Sequence, residues 1–384
     1  MLFFDNILNL FPFKKETCKI MLKSSMQLLE YFYDRNNEIS TYHQRKFNIP
    51  NVKRLLLYGS PASGKTSLVL DYLMSYDVEE LLYIDFKDPK FHFRDMMEED
   101  IEGFVEANEI EILVLDHYEH NYFEVLPNVK KLIVISSGYY KYDEAFNYLN
   151  LPLLDYEEFF SFQKRGTETQ IFNLFLKQGT LPQLALSTAP KEQMFLNFIE
   201  SHFNESEQKL LTILAHFNGA TVTTFQLYSY AKERYKISKD LIYKQIKVFE
   251  EKNIISFVFD NQDTKKKKLL FFDFALAKYL TLTQTFPRQF ETMIALSLHK
   301  HNILFKTFGS MGYITQNNHL IIPAPFESEE VFWKKAHGKF SNYKRNDVTN
   351  VYIITVTNAY EFKIGNIEFE ALPFYEWIVI NDEH

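Results

Sequence analysis

With 384 residues, 46% hydrophobic and 17% aromatic, and only 11 Gly and 12 Pro, the chain has apolar material for two or three packed domains, which excludes a largely disordered protein. Its single cysteine, Cys18, excludes an internal disulfide and a cysteine-built zinc site, and points to a reducing, cytoplasmic setting. A net charge of −8 argues against wholesale wrapping by nucleic acid, although Glu205 to Lys278, with thirteen Lys or Arg against nine Asp or Glu, form a locally basic stretch.

The opening MLFFDNILNLFPFKK is apolar, but it has no basic start, carries Asp5 and lacks a small-residue cleavage site, so no signal peptide is expected. No charge-free run reaches the ~18 apolar residues of a membrane span. Residues 14–46 read as helical, with Ile20, Met21, Met26, Leu28, Leu29, Tyr31 and Phe32 at mixed three- and four-residue spacing. From 53 to 137, short apolar strands at 54–58, 81–86, 112–116 and 131–136 alternate with helical stretches, the pattern of an α/β fold whose parallel sheet is covered on both faces. A mainly helical stretch, 155–203, follows between punctuation at Pro152 and Pro182. Helical patterns at 205–216, 223–234 and 238–252 then precede strands at 254–259 and 268–274, joined by DNQDTKKKK, in the order of a winged helix. A helix at 290–301 and strands at 303–308, 319–322, 351–357 and 367–371 make a small α/β unit. The expected domains are thus a helical segment 1–50, an α/β domain with helical extension 51–204, a winged helix 205–285 and a C-terminal α/β domain 286–384.

The strongest motif is GSPASGKT at 59–66, between the strand RLLLY and the helical TSLVLDYLM. A phosphate chain needs many donors close together, and backbone N–H groups turn inward only where side chains do not obstruct them. Gly59, Ser60, Pro61, Ala62, Ser63 and Gly64 form such a cradle. Lys65 is expected on the β and γ phosphates, Thr66 on magnesium, and Ser67 behind them at the start of a helix whose dipole favours an anion. ILVLD ends in Asp116, placed to hold magnesium through water. The cofactor set is therefore Mg2+ with ATP or GTP.

A group that orients the attacking water belongs next to that aspartate. Position 117 is histidine, whose favoured role at a strand end is a local hydrogen bond, with service as a base the alternative; Glu119 is the nearby candidate for the water. Ser136, ending the strand KLIVIS, is a candidate sensor of the γ-phosphate or simply a strand terminator. In the basic stretch, Ser238 caps a helix that turns Leu241, Ile242, Ile246 and Phe249 to the core and Lys239, Lys244 and Lys247 outward. With Lys265, Lys266, Lys267 and Lys268 of the hairpin they make a phosphate-contacting surface for DNA; the alternative is a protein-binding module with a solvated hairpin tip. No arginine or glutamine pair is set to read bases.

The order of motifs resembles a prokaryotic AAA-type ATPase family that has a P-loop domain, a winged helix and a C-terminal domain related to PD-(D/E)xK nucleases. The resemblance spans nearly the whole chain and rests on GSPASGKT, YIDFKDP (83–89), ILVLD, LPLLDYEEFFSF (151–162), GTLPQLA (179–185) and LLFFDFALAKYL (269–280). It implies ATP rather than GTP, magnesium at Thr66 and Asp116, and a C-terminal nuclease-like fold. That fold is expected to lack nuclease chemistry, because ITVT at 354–357 has threonines where a carboxylate and lysine belong, leaving Glu291 as the one acidic residue that fits. The family's glutamate is also missing at 117, and so is an arginine after the serine pair. These features imply a slow, nucleotide-dependent switch contacting DNA or a protein, or else a non-enzymatic nucleotide-binding adaptor.

Overall fold

The computed structural model describes residues 25–35, 42–93, 96–119, 122–187, 191–263 and 265–382. They divide into two compact units: one takes the chain through Gly59 and Gly64–Leu151, the other takes Ser60–Ser63 with everything from Pro152 on.

The first unit is built on five parallel strands, β1 (Arg54–Tyr58), β2 (Leu81–Asp85), β3 (Ile112–Asp116), β4 (Lys131–Ser136) and β5 (Asn147–Asn150), in the order β2-β3-β4-β1-β5. Alternation along β1 sends Leu55 and Leu57 to one face, against Leu68, Val69 and Leu73, and Leu56 to the other, against Leu28, Leu29, Phe32, Ile101 and Phe104. The helices supplying these residues are α1 (residues 25–34), α2 (Lys65–Leu73) and α3 (Glu98–Ala107). Burial on both faces is what near-continuous apolar strands require. This is a mixed α/β fold with the parallel sheet of a P-loop nucleoside triphosphatase.

Two expectations for this unit change. The long helix over 14–46 is helical at 25–34 among the described residues, whereas 42–50 is irregular and Met26 is 37% exposed; Cys18, Ile20, Met21 and the first fifteen residues lie outside the described residues. β5 was not expected, because an edge strand with three of its four residues exposed has no apolar run to announce it.

In the second unit the helices are α4 (Tyr156–Phe162), α5 (Glu168–Gln178), α6 (Pro182–Leu186), α7 (Lys191–His202), α8 (Glu205–His216), α9 (Thr224–Arg234) and α10 (Lys239–Glu251). Reciprocal caps begin four of them: Asp155 with Glu158, Thr167 with Gln170, Asn204 with Glu207, and Thr223 with Gln226. An antiparallel hairpin follows, β6 (Ile255–Phe259) and β7 (Lys267–Phe271), then α11 (Ala277–Leu280) and α12 (Phe286–Lys300). The chain ends on a six-stranded sheet of β8 (Phe305–Thr307), β9 (Tyr313–Thr315), β10 (His319–Pro323), β11 (Asn350–Thr355), β12 (Tyr360–Ile364) and β13 (Ile367–Pro373), in the order β12-β13-β11-β10-β9-β8, with α13 (Glu329–Arg345) and α14 (Phe374–Asp382). One apolar cluster runs through this unit from Leu153 to Ile378.

Three polar ties cross that core. Asp273, fully buried, accepts from the Thr180 N–H at 2.5 Å and hydroxyl at 2.7 Å, and from the Ala275 and Leu276 N–H groups at 2.8 and 2.9 Å. Gly179 has to be glycine beside it: φ is +74°, and a Cβ would stand 2.3 Å from the Asp273 carboxylate. Lys300 donates to Glu158 at 2.8 Å and lies 3.3 Å from Asp155. Asp260, at the hairpin turn, accepts from Gln262 and Asp263 N–H groups and from the Thr307 hydroxyl and Gly309 N–H, which fastens the hairpin to β8.

Candidate functional site

The loop between β1 and α2 has the backbone that its sequence demands. Gly59, Ala62 and Gly64 take φ of +151°, +56° and +93°, and Gly64 is the residue from which α2 begins. The two glycines take these conformations at little cost, whereas Ala62, which has a Cβ, stands in the left-handed region at some strain. Lys65 is half-buried and donates to the Gly59 carbonyl at 2.9 Å; desolvation pushes its ammonium down to about 8, against the pull of the Asp116 carboxylate.

Parallel pairing sets Asp85, ending β2, beside Asp116, ending β3. Asp116 is 1% exposed and its Oδ2 accepts from the Thr66 hydroxyl at 2.8 Å and the Tyr83 hydroxyl at 2.5 Å, while Oδ1 accepts from the His117 N–H at 2.7 Å. Burial, and then the Asp116 charge, push the Tyr83 phenol far above its ordinary range, so it is a fixed donor. A hydroxyl and a carboxylate this close are hard oxygen donors of the kind that would hold Mg2+. Among the described residues no group of three or more His, Cys, Asp or Glu is arranged to hold a metal.

His117 takes φ of +56°, uncommon for a non-glycine residue, and its Nδ1 lies 2.8 Å from Asp85 Oδ1. Burial opposes ionisation of Asp85, but His117 and the Lys87 N–H outweigh it and hold the carboxyl below its usual range. Phe32, Arg35, Thr66, Leu70, Tyr83, Asp85, Asp116 and His117 enclose a cavity of about 120 Å3. Arg35 is anchored to Asp88 at 2.6 Å and to the Tyr31 hydroxyl.

Thr66, Asp116 and Lys65 therefore gather around the strand ends. Glu119 does not join them: the left-handed turn at His117 carries the chain away, leaving Glu119 exposed and outside the cavity. Ser136 is buried at the end of β4, paired with Tyr58 at the end of β1, and its Oγ accepts from the Gly138 N–H at 3.3 Å. Asp85 and Tyr83 were missed, although YIDF and LVLD carry the signal, each an apolar strand closing on aspartate.

The basic surface is smaller than its sequence suggests. Lys239, Lys244 and Lys247 are exposed on α10, and Lys265 and Lys266 are exposed at the hairpin tip. Lys267 lies over the Phe257 ring, 3.6 Å from its centre, and Lys268 is buried against Glu291 as an ion pair. A hairpin turn exposes its tip, but the chain enters β7 at Lys267, and from Lys268 to Phe271 every residue of that strand is buried. Leu241 is also 45% exposed, so the core face of α10 is Ile242, Ile246 and Phe249.

No family model matches the sequence, and no curated protein matches it. Among solved structures, it is similar to a Walker-type ATPase of Pyrococcus abyssi (14% identity, TM-score 0.40, 60% of this chain and 91% of that one). It is also similar to a STAND protein with a tetratricopeptide repeat sensor from Pyrococcus horikoshii (16%, 0.26, 66% and 47%). A third is the Aeropyrum pernix ORC1 protein in complex with DNA (12%, 0.28, 59% and 86%). Likenesses this loose carry no inference about function, and the class rests on the chain's own sheet order, loop and strand-end carboxylates.

Proposed function

We propose that this chain binds Mg-ATP at residues 59–66 and acts as a slow ATPase whose nucleotide state gates contact with DNA or a protein. The observation that carries the reading is the Thr66–Asp116 hydrogen bond at 2.8 Å, two magnesium-type donors brought together from a glycine loop and the neighbouring strand end. The preference for ATP comes from the family resemblance. Lys65→Ala is expected to weaken triphosphate binding at least about tenfold by calorimetry, since it removes the side-chain cation set for the β and γ phosphates. Unchanged affinity removes the central claim.

The order α8, α9, α10, β6, β7, with Thr221 bridged to Lys268, supports a winged helix over 205–285. For 286–384, α12 leads into three antiparallel strands, then α13 and the parallel strand β11, an order that supports a nuclease-like fold. Glu291, tied up by Lys268, supports its lacking nuclease chemistry. A cytoplasmic setting belongs to the same reading; among the described residues no helix is long and apolar enough to cross a membrane.

The second reading is a non-enzymatic adaptor that holds nucleotide as a structural element and binds a protein. It is favoured by the hairpin turn, fastened through Asp260 and Thr307, with Lys266, Lys267 and Lys268 already engaged by Asp263, the Phe257 ring and Glu291. Turnover by the parent above that of Lys65→Ala separates an ATPase from an adaptor.

A further inference from the structure

Resting on the nucleotide reading above, we propose that Asp85 and His117 together replace the missing glutamate as the water-orienting device of this site. His117 stands next to Asp116 in the chain and lines the same cavity of about 120 Å3 as Thr66 and Asp116, which has room for several waters. An ionised carboxylate only accepts, so the 2.8 Å contact to Asp85 Oδ1 requires the proton on Nδ1. In the neutral imidazole with that tautomer, Nε2 is the acceptor, and it has no partner among the described residues on a ring that is 35% exposed.

The local backbone is arranged to hold the ring in that place. Register pairing of β2 with β3 sets Asp85 against Asp116, one residue before the histidine, and the left-handed turn with its N–H on Asp116 Oδ1 swings the ring across to β2. A strained conformation at a non-glycine residue persists only where its surroundings enforce it. A local hydrogen bond, the role favoured from sequence, is thus present through Nδ1 and leaves the opposite nitrogen free for a water.

Phosphoryl transfer asks little covalent chemistry of a protein and much positioning. A water donating one hydrogen to Nε2 has a lone pair to turn toward the γ-phosphorus. Its oxygen bonds to that phosphorus as the bridging P–O bond breaks; the electron pair stays on the nucleoside diphosphate, and the water's proton leaves with orthophosphate. His117 holds the water by a hydrogen bond and takes up no proton in the step. It is the residue that touches the water, and Asp85 is a positioning residue that fixes its tautomer.

The test uses the full chain with 15N-labelled histidine. In nucleotide-free protein near neutral pH, the His117 signals, identified by their loss in His117→Gly, should show the proton on Nδ1, and Asp85→Asn should shift that tautomer. Glycine suits the left-handed turn, so the variant should fold. With Mg-ATP it should keep affinity within about threefold while single-turnover hydrolysis falls at least about tenfold, and added imidazole should restore part of the rate. A proton on Nε2 in the parent, or a parental rate in His117→Gly, overturns the proposal; so does a parent that binds Mg-ATP in a Lys65-dependent way but hydrolyses none. If the parent shows no Lys65-dependent binding, the nucleotide reading itself falls and takes this one with it.

Discussion

At the scale of single residues, Lys65 shows how desolvation prepares a binding cation. Its ammonium is pushed down to about 8, so in the free protein it is charged below that pH and increasingly neutral above it. A bound triphosphate favours the charged form and raises the value again. Binding between about pH 8 and 9 should therefore take up a proton, approaching one per nucleotide, and affinity should fall as pH rises through 8. Calorimetry in two buffers of different ionisation enthalpy reads this directly; identical heats would contradict it. Asp116 belongs to the same scale. Asp116→Asn should leave metal-free binding nearly intact and abolish the magnesium-dependent part. A magnesium response equal to that of the parent would remove Asp116 from the site.

Elements were legible where their pattern was dense. The four apolar strands β1 to β4 and the helices α8, α9 and α10 stand within a residue or two of their expected bounds, because alternation and caps such as Ser238, which accepts from the Leu241 N–H, are local signals. The 17-residue helix α13 was missed because it buries only Phe332, Ala336 and Tyr343, too sparse a stripe to stand out, and Gly338 interrupts it. β9 and β12 were missed as short or edge strands whose pairing is set at long range. The site was legible in its loop and its aspartate, but the Asp85–His117 contact spans 32 residues and exists only through the register of β2 and β3. At this scale the hairpin lysines separate into two kinds. Substituting Lys265 and Lys266 together with Lys239, Lys244 and Lys247 should lower DNA affinity and flatten its salt dependence, by roughly 0.9 in slope per lost phosphate contact, alike for unrelated sequences. Lys268→Ala should instead act on stability. Stranding the partly buried Glu291 carboxylate is expected to cost about 3 kcal/mol, read as a lower denaturant midpoint, and an unchanged midpoint would refute the pairing.

At the scale of the whole molecule, the second unit has one apolar cluster running from its helical extension to one face of the C-terminal sheet and another, around Phe332 and Val351, on the opposite face; the motifs behind the family resemblance are fastenings of the first. GTLPQLA meets FFDFALAKYL through Thr180 and Asp273, and LPLLDYEEF meets α12 through Glu158 and Lys300. The helical extension, hairpin and C-terminal sheet share one apolar cluster and so stand or fall together. The fastened hairpin has a further consequence for protease treatment. Trypsin finds exposed lysines at 265 and 266, yet Asp260 holds the chain before the tip to β8, and the pairing of β7 with β6 holds the chain after it. A cut at the tip severs the polypeptide without releasing either piece: the nicked protein should elute as one species in native buffer and part into two fragments only in denaturant.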